Sequence, residues 1–239
     1  KVIGRWVMIP RLKADLGIPD LTALWPSRDR KLDVENFERA FAELADQKYA
    51  IAFPYGRTAQ IAILKALGQP GGEVICPSYT CVVVAHAIKE AKMNPVFIDS
   101  NQSDFNMDWN IVREATGPKT KAIIATSIFG HPINGEEFRA FRKDFPNIII
   151  VQDCAHSFLA NNAHKEGLAA FFGLNISKII TSIFGGMVTT DDSKFAAKVR
   201  KEREEMLVDG GITHEIKRSL YLATVLVSFT RPIYKVVNF

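Results

Sequence analysis

The segments I-I-I-V-Q-D-C-A-H-S at 148–157 and A-A-F-F-G-L-N-I-S-K-I-I-T-S-I-F-G-G-M at 169–187 decide how this chain folds. The first is an apolar run that ends on an acid, Asp153. The second carries Lys178 directly after Ser177, then a glycine pair that opens another β-branched run. An acid where a parallel strand ends lies at the edge where open α/β sheets bind their ligands.

Working outward, apolar runs alternate with helical patterns, the signature of an α/β fold whose mostly parallel sheet is flanked by helices. Strands are expected at 49–53, 73–76, 95–98, 121–126, 147–152, 169–174 and 187–190, and helices at 34–45, 58–67, 82–91, 109–115, 135–144 and 193–205. The breaks carry turn and cap residues: Gln69-Pro70-Gly71-Gly72, Gly117-Pro118, and Asp191-Asp192 ahead of a helix. Residues 1–47 read as an N-terminal arm and one helix, 48–208 as a large ligand-binding domain, and 209–239 as a C-terminal amphipathic helical segment.

With 239 residues, 47% of them hydrophobic, the chain can bury one sizeable core. Its net charge of +4 comes from 30 basic and 26 acidic residues that are interspersed, which excludes the concentrated basic face of a nucleic-acid binder. Cys76, Cys81 and Cys154 are odd in number and form no CxxC pair, so neither a disulfide framework nor a structural zinc site is expected. A reducing cytoplasm fits best. Arg5, Arg11 and Lys13 interrupt any apolar leader. The start at Lys1 and the stop at Phe239 inside an apolar pattern suggest a fragment. In the basic, apolar tail the uncharged run 219–230 is 12 residues, too short to span a bilayer. Packing on the domain or on a second subunit is the expectation for that tail, with interfacial membrane contact as the alternative.

Two groups carry the chemistry. A carboxylate such as Asp153 can keep a pyridine nitrogen protonated, and a lysine such as Lys178 can form an imine with an aldehyde. These are the two groups that pyridoxal phosphate (PLP) chemistry requires. Taken alone, Asp153 reads first as a helix cap or a turn residue, and a lysine after a strand is usually solvated. Lys178, however, sits among Ile176, Ile179 and Ile180, and burial supplies the neutral amine that attacks a carbonyl. The turn Pro54-Tyr55-Gly56-Arg57-Thr58 follows a strand and opens a helix, which suits phosphate binding through backbone amides and the Thr58 hydroxyl, with Ser177 as a further donor. His156 lies three residues past Asp153 and could face the same ligand, and His131 follows another strand end. The histidines are scattered without ligand spacing, so no metal is expected.

In this order the pieces resemble the DegT/DnrJ/EryC1/StrS family of PLP-dependent sugar aminotransferases. The resemblance rests on G-R-T-A at 56–59, G-G-E-V-I-C-P-S-Y-T at 71–80 and N-P-V-F-I-D at 94–99. It continues through T-K-A-I-I-A-T-S-I-F-G-H-P at 120–132, V-Q-D-C-A-H-S at 151–157, S-K at 177–178 and G-G-M-V-T-T at 185–190. It implies the large domain of fold type I, PLP as an imine on Lys178, and Asp153 paired with the pyridinium. Gly56, Arg57, Thr58 and Ser177 then fall at the phosphate, and His156 stands where the family usually has glutamine. A homodimer is implied, with an amino donor, commonly glutamate, and a keto sugar on a nucleotide as substrates.

Several positions depart from the family pattern. Cys81 replaces an aromatic that stacks on the ring, so stacking is weaker or comes from Tyr79. Gly173 replaces a serine, and Phe184 replaces an acid. The C-terminal small domain is largely missing. Related dehydratases carry histidine in place of the lysine, so Lys178 implies amino transfer. The departures keep open a catalytically silent member of the same fold that binds or regulates, and the basic tail keeps open a membrane-associated assembly factor.

Overall fold

The strands form where short β-branched or aromatic runs can be buried on both faces of a sheet, as a parallel arrangement demands. The computed structural model describes residues 29–228. Seven strands, β1 (Tyr49–Phe53), β2 (Glu73–Pro77), β3 (Asn94–Ile98), β4 (Thr120–Thr126), β5 (Ile149–Asp153), β6 (Ala169–Gly173) and β7 (Gly186–Thr190), make one sheet. Its order is β1-β7-β6-β5-β4-β2-β3. β2 pairs parallel with β3 and β4, and β4, β5 and β6 continue parallel. β7 is antiparallel to both β6 and β1, so β1 again points the same way as the rest. Six strands therefore deliver their C-terminal ends to one edge.

The helices are α1 (Arg30–Ala45), α2 (Gly56–Ala66), α3 (Val82–Glu90), α4 (Trp109–Ala115), α5 (Gly135–Asp144), α6 (Ser193–Met206) and α7 (Gly211–Ser228). Every expected strand and helix is present, with ends shifted by a few residues. Successive strand residues alternate between the two faces, as the pleat requires. On one face Val74, Cys76, Ile124, Val151 and Phe171 pack with Ala59 and Ile63 of α2, Val84 and Ile88 of α3, and Phe195 and Val199 of α6. On the other, Ile75, Ile123 and Ile150 meet Trp109, Phe138 and Phe141 of α4 and α5. Ala170, Phe172 and Met187 meet Phe41, Ala42 and Ala45 of α1. Each fully enclosed Ile or Phe contributes about 2 kcal/mol.

Residues 31–207 form one compact unit. α1, expected beside the N-terminal arm, packs on the sheet through Phe41, Ala42 and Ala45. The arm before residue 29 and the tail beyond residue 228 lie outside the described residues. α7 belongs to a second unit and exposes Ile212, Ile216 and Leu220 at four-residue spacing. Among the described residues no helix is long and apolar enough to cross a membrane.

Side chains cap the free edge of β1. Ala52 N donates to Glu38 Oε1 at 2.8 Å, Arg203 Nη1 donates to Ala52 O at 3.3 Å, and Arg200 Nη2 donates to Ala50 O at 3.3 Å. Glu38, 8% exposed, is also paired with both arginines. A row of unpaired edge amides is thus closed against another strand.

Candidate active site

The loops at the C-terminal edge enclose a cavity of about 200 Å³ in which Asp153, Lys178, His156, Gly56, Arg57 and Cys81 all take part. That exceeds the roughly 150 Å³ that admits a benzene ring, so a small aromatic ring has room. The register explains the placement: Asp153 closes β5 between Thr126 of β4 and Phe171 of β6.

Asp153 is 5% exposed. Ala155 N donates to its Oδ1 at 3.0 Å, an Asx turn, and Thr126 Oγ1 donates to Oδ2 at 3.4 Å. Burial pushes the carboxyl above its usual range, against the Ala155 N–H, the Lys178 charge and the Thr126 hydroxyl. An ionised carboxylate has about four acceptor sites, so two donors leave this one short. A cationic N–H in the cavity would complete it, and the pyridinium nitrogen of PLP is such a group.

Lys178 stands in the loop between β6 and β7, its N–H donating to Asn175 O at 2.9 Å. Burial pushes its ammonium below the usual lysine range, with Asp153 and Cys81 opposing. Gly173 makes room for the stem, because a Cβ there would lie 3.2 Å from Lys178 Cε and 3.6 Å from Ala155 Cβ. His156 is pushed below its usual value by burial and by the Lys178 charge, which keeps the imidazole neutral at neutral pH.

The turn before α2 is wedged against this loop. A Cβ on Gly186 would come within 2.5 Å of Gly56 N and of the Tyr55 carbonyl, and one on Gly56 within 3.1 Å of Gly173 Cα. Gly56 and Arg57 thus begin α2 at the cavity, where first-turn N–H groups lack partners within the helix and suit an anion.

Three expected residues lie elsewhere. Thr58 Oγ1 accepts from Tyr55 N at 3.2 Å and donates to Tyr55 O at 2.7 Å, so the hydroxyl closes its own turn and borders a neighbouring groove. Ser177 N and Oγ both donate to Asn175 Oδ1, at 3.0 and 2.6 Å, and it is Asn175 that lines the cavity. Tyr79 leaves the lining for an exposed trio with Phe105 and Phe129, centroids 6.1 and 6.0 Å away. Cys81 alone of that loop's two expected residues borders the cavity. His131 is exposed outside it, its carbonyl accepting from Asn106 Nδ2 at 3.1 Å.

Gln60, Thr126, Ala155 and Asn175 also line the cavity. Only Gln60 carried a local signal, as a polar residue inside the apolar run 59–64 of a helix. The other two cysteines are enclosed: burial pushes the Cys76 thiol up to about 12 and the Cys154 thiol higher still.

The sequence matches the DegT/DnrJ/EryC1/StrS aminotransferase family over residues 29–221. GDP-perosamine synthase of Caulobacter vibrioides is 33% identical over 202 residues, which cover 81% of this chain and 54% of that protein. The crystal structure of DesI in the presence of its TDP-sugar product is similar with a TM-score of 0.65 at 30% identity, over 76% of this chain and 47% of that one. GDP-4-keto-6-deoxymannose-3-dehydratase with a trapped PLP-glutamate geminal diamine gives a TM-score of 0.71 at 25% identity, over 80% and 53%. The architecture is thus the large-domain fold of PLP-dependent aminotransferases. The chain spans about half the length of the curated relatives it matches. On a match that runs through most of its length and through the strands that build the cavity, the chain belongs to the DegT/DnrJ/EryC1/StrS aminotransferase family.

Proposed function

We propose that this chain is the cofactor-binding part of a PLP-dependent aminotransferase that moves an amino group, from a donor such as glutamate, to a keto sugar carried on a nucleotide. The observation that carries the reading is one cavity shared by a buried, under-satisfied carboxylate and a desolvated primary amine. Relatives named as a GDP-perosamine synthase and as DesI with a TDP-sugar product support the substrate class. When bound, PLP supplies an electron sink for a carbanion next to nitrogen.

In this reading Asp153 holds the ring N–H and keeps it protonated. Lys178 would hold the aldehyde end of the cofactor and would serve as a general base, since burial lowers its pKa and leaves more of the amine neutral. Gly56 and Arg57 hold the phosphate at the start of α2, with Asn175 lining the same cavity. His156, neutral beside Lys178, would offer a ring N–H to the cofactor's phenolic oxygen.

A homodimer belongs to the same reading. Tyr79, Phe105 and Phe129 on three loops are each at least half exposed, and Val82 and Ile179 add further apolar surface near the cavity. Apolar surface of that extent favours a macromolecular cover. The three free cysteines support a reducing, cytoplasmic setting. The test is a transamination assay with PLP, glutamate and a nucleotide-linked keto sugar. Formation of 2-oxoglutarate that disappears in Lys178→Ala is expected. A chain that binds PLP but releases no 2-oxoglutarate, alone or joined to a complete C-terminal domain of a relative, contradicts the reading and leaves a silent binding protein.

A further inference from the structure

Gln60 is the buried polar side chain that the proposed chemistry leaves unused. It sits in α2 among Ala59, Ile61 and Ile63, is 1% exposed, and lines the same cavity as Asp153 and Lys178. Its Nε2 donates to Val84 O at 3.1 Å, in the first turn of α3. A buried amide is costly unless it is bonded, and a leucine would fill this place in an apolar helix with no such demand. The bond it makes runs between two helix starts that border one cavity. α2 opens at Gly56, wedged against the loop that carries Lys178. α3 opens at Val82 behind Cys81, whose side chain makes no capping bond. The wall formed by Thr80, Cys81, Val83 and Val84 thus has a side-chain tie to α2 through Gln60.

We propose that Gln60 is a positioning residue. It fixes the spacing between the first turns of α2 and α3, and so sets where Cys81 and Val83 stand over the cavity. The effect on cofactor rests on reading the cavity as a PLP site. The effect on the wall does not.

The wall can be followed without cofactor, because Cys81 is the exposed thiol while Cys76 and Cys154 are buried. In the full chain, modification of Cys81 by an aromatic disulfide reagent is timed for wild type, for Gln60→Met and for Val112→Ala. Gln60→Met keeps the length and loses the bond. Val112→Ala weakens the core under α4, away from the cavity lining, and controls for lost stability. The expected result is a change of about fivefold to tenfold in the Cys81 rate for Gln60→Met, the weight of one hydrogen bond, with the Val112→Ala rate as in wild type. Titration with PLP, followed by its absorbance, should show affinity weakened by a similar factor in Gln60→Met alone. An unchanged Cys81 rate, an equal change in Val112→Ala, or an unchanged affinity in a chain that binds PLP overturns the proposal. If wild type itself binds no PLP, the reading of the cavity fails, and the thiol rates still decide the tie.

Discussion

Asp153 carries an electrostatic penalty that only a positively charged partner removes. Its carboxyl titrates above the ordinary 3.8 because burial disfavours the charge, and one N–H, one hydroxyl and the Lys178 ammonium offset this incompletely. In the ligand-free chain the native state therefore binds the extra proton, and stability falls as pH rises through the window above 3.8. Asp153→Asn keeps the size and removes the charge. It should stabilise the ligand-free chain near neutral pH by about 1 kcal/mol, roughly 2–4 °C in melting temperature, and abolish PLP binding. The gain should vanish below pH 3.8, where both side chains are neutral. Thermal melts across pH check it, and equal stabilisation at acid and neutral pH would contradict the electrostatic account. The same substitution removes a group that raises the Lys178 pKa, so the lysine should titrate lower still.

At the scale of elements, the loop between β6 and β7 and the turn before α2 are built around small residues. Lys178 reaches the cavity because nothing projects from position 173. Gly173→Val should displace the stem and weaken PLP binding by about tenfold, an overpacking penalty of the usual 1–3 kcal/mol. Binding equal to wild type in spectroscopic titration would show that the stem has another route. The strands that deliver these loops were legible because enclosed parallel strands need continuous apolar runs, and 148–151 and 169–172 provide them. Asp153 and Lys178 were legible because their chemistry is uncommon at such positions. Thr126 and Asn175 were not, since one enters through strand register and the other through a loop turn that no period announces. Thr58 and Ser177 show the converse: each hydroxyl is also engaged by its own turn, at Tyr55 and Asn175, which residue type alone does not reveal. At the outer edge, Glu38→Ala should leave Ala52 N and two arginines without their acceptor, at a cost of about 2 kcal/mol given the partial exposure of the arginines. Urea denaturation measures this. A loss within a few tenths of a kcal/mol would mean water satisfies the edge.

At the scale of the whole molecule, the open edge of the sheet ends in half-exposed rings. Tyr79, Phe105 and Phe129 touch one another at 5.8–6.1 Å, and Phe105 and Phe129 hold positive φ. If a second copy covers them, Phe129→Asp should shift the chain from dimer to monomer in sedimentation while its melting temperature stays near wild type. Identical sedimentation of the two proteins would remove this face from the interface. In the proposed function Lys178 Nζ bonds to the aldehyde carbon of PLP while Asp153 holds the ring. Borohydride reduction of the PLP-loaded chain, followed by peptide mapping, tests it most directly. A single pyridoxyl adduct on Lys178, lost in Lys178→Ala, is expected. An adduct on another lysine, or none in chain saturated with PLP, would contradict it.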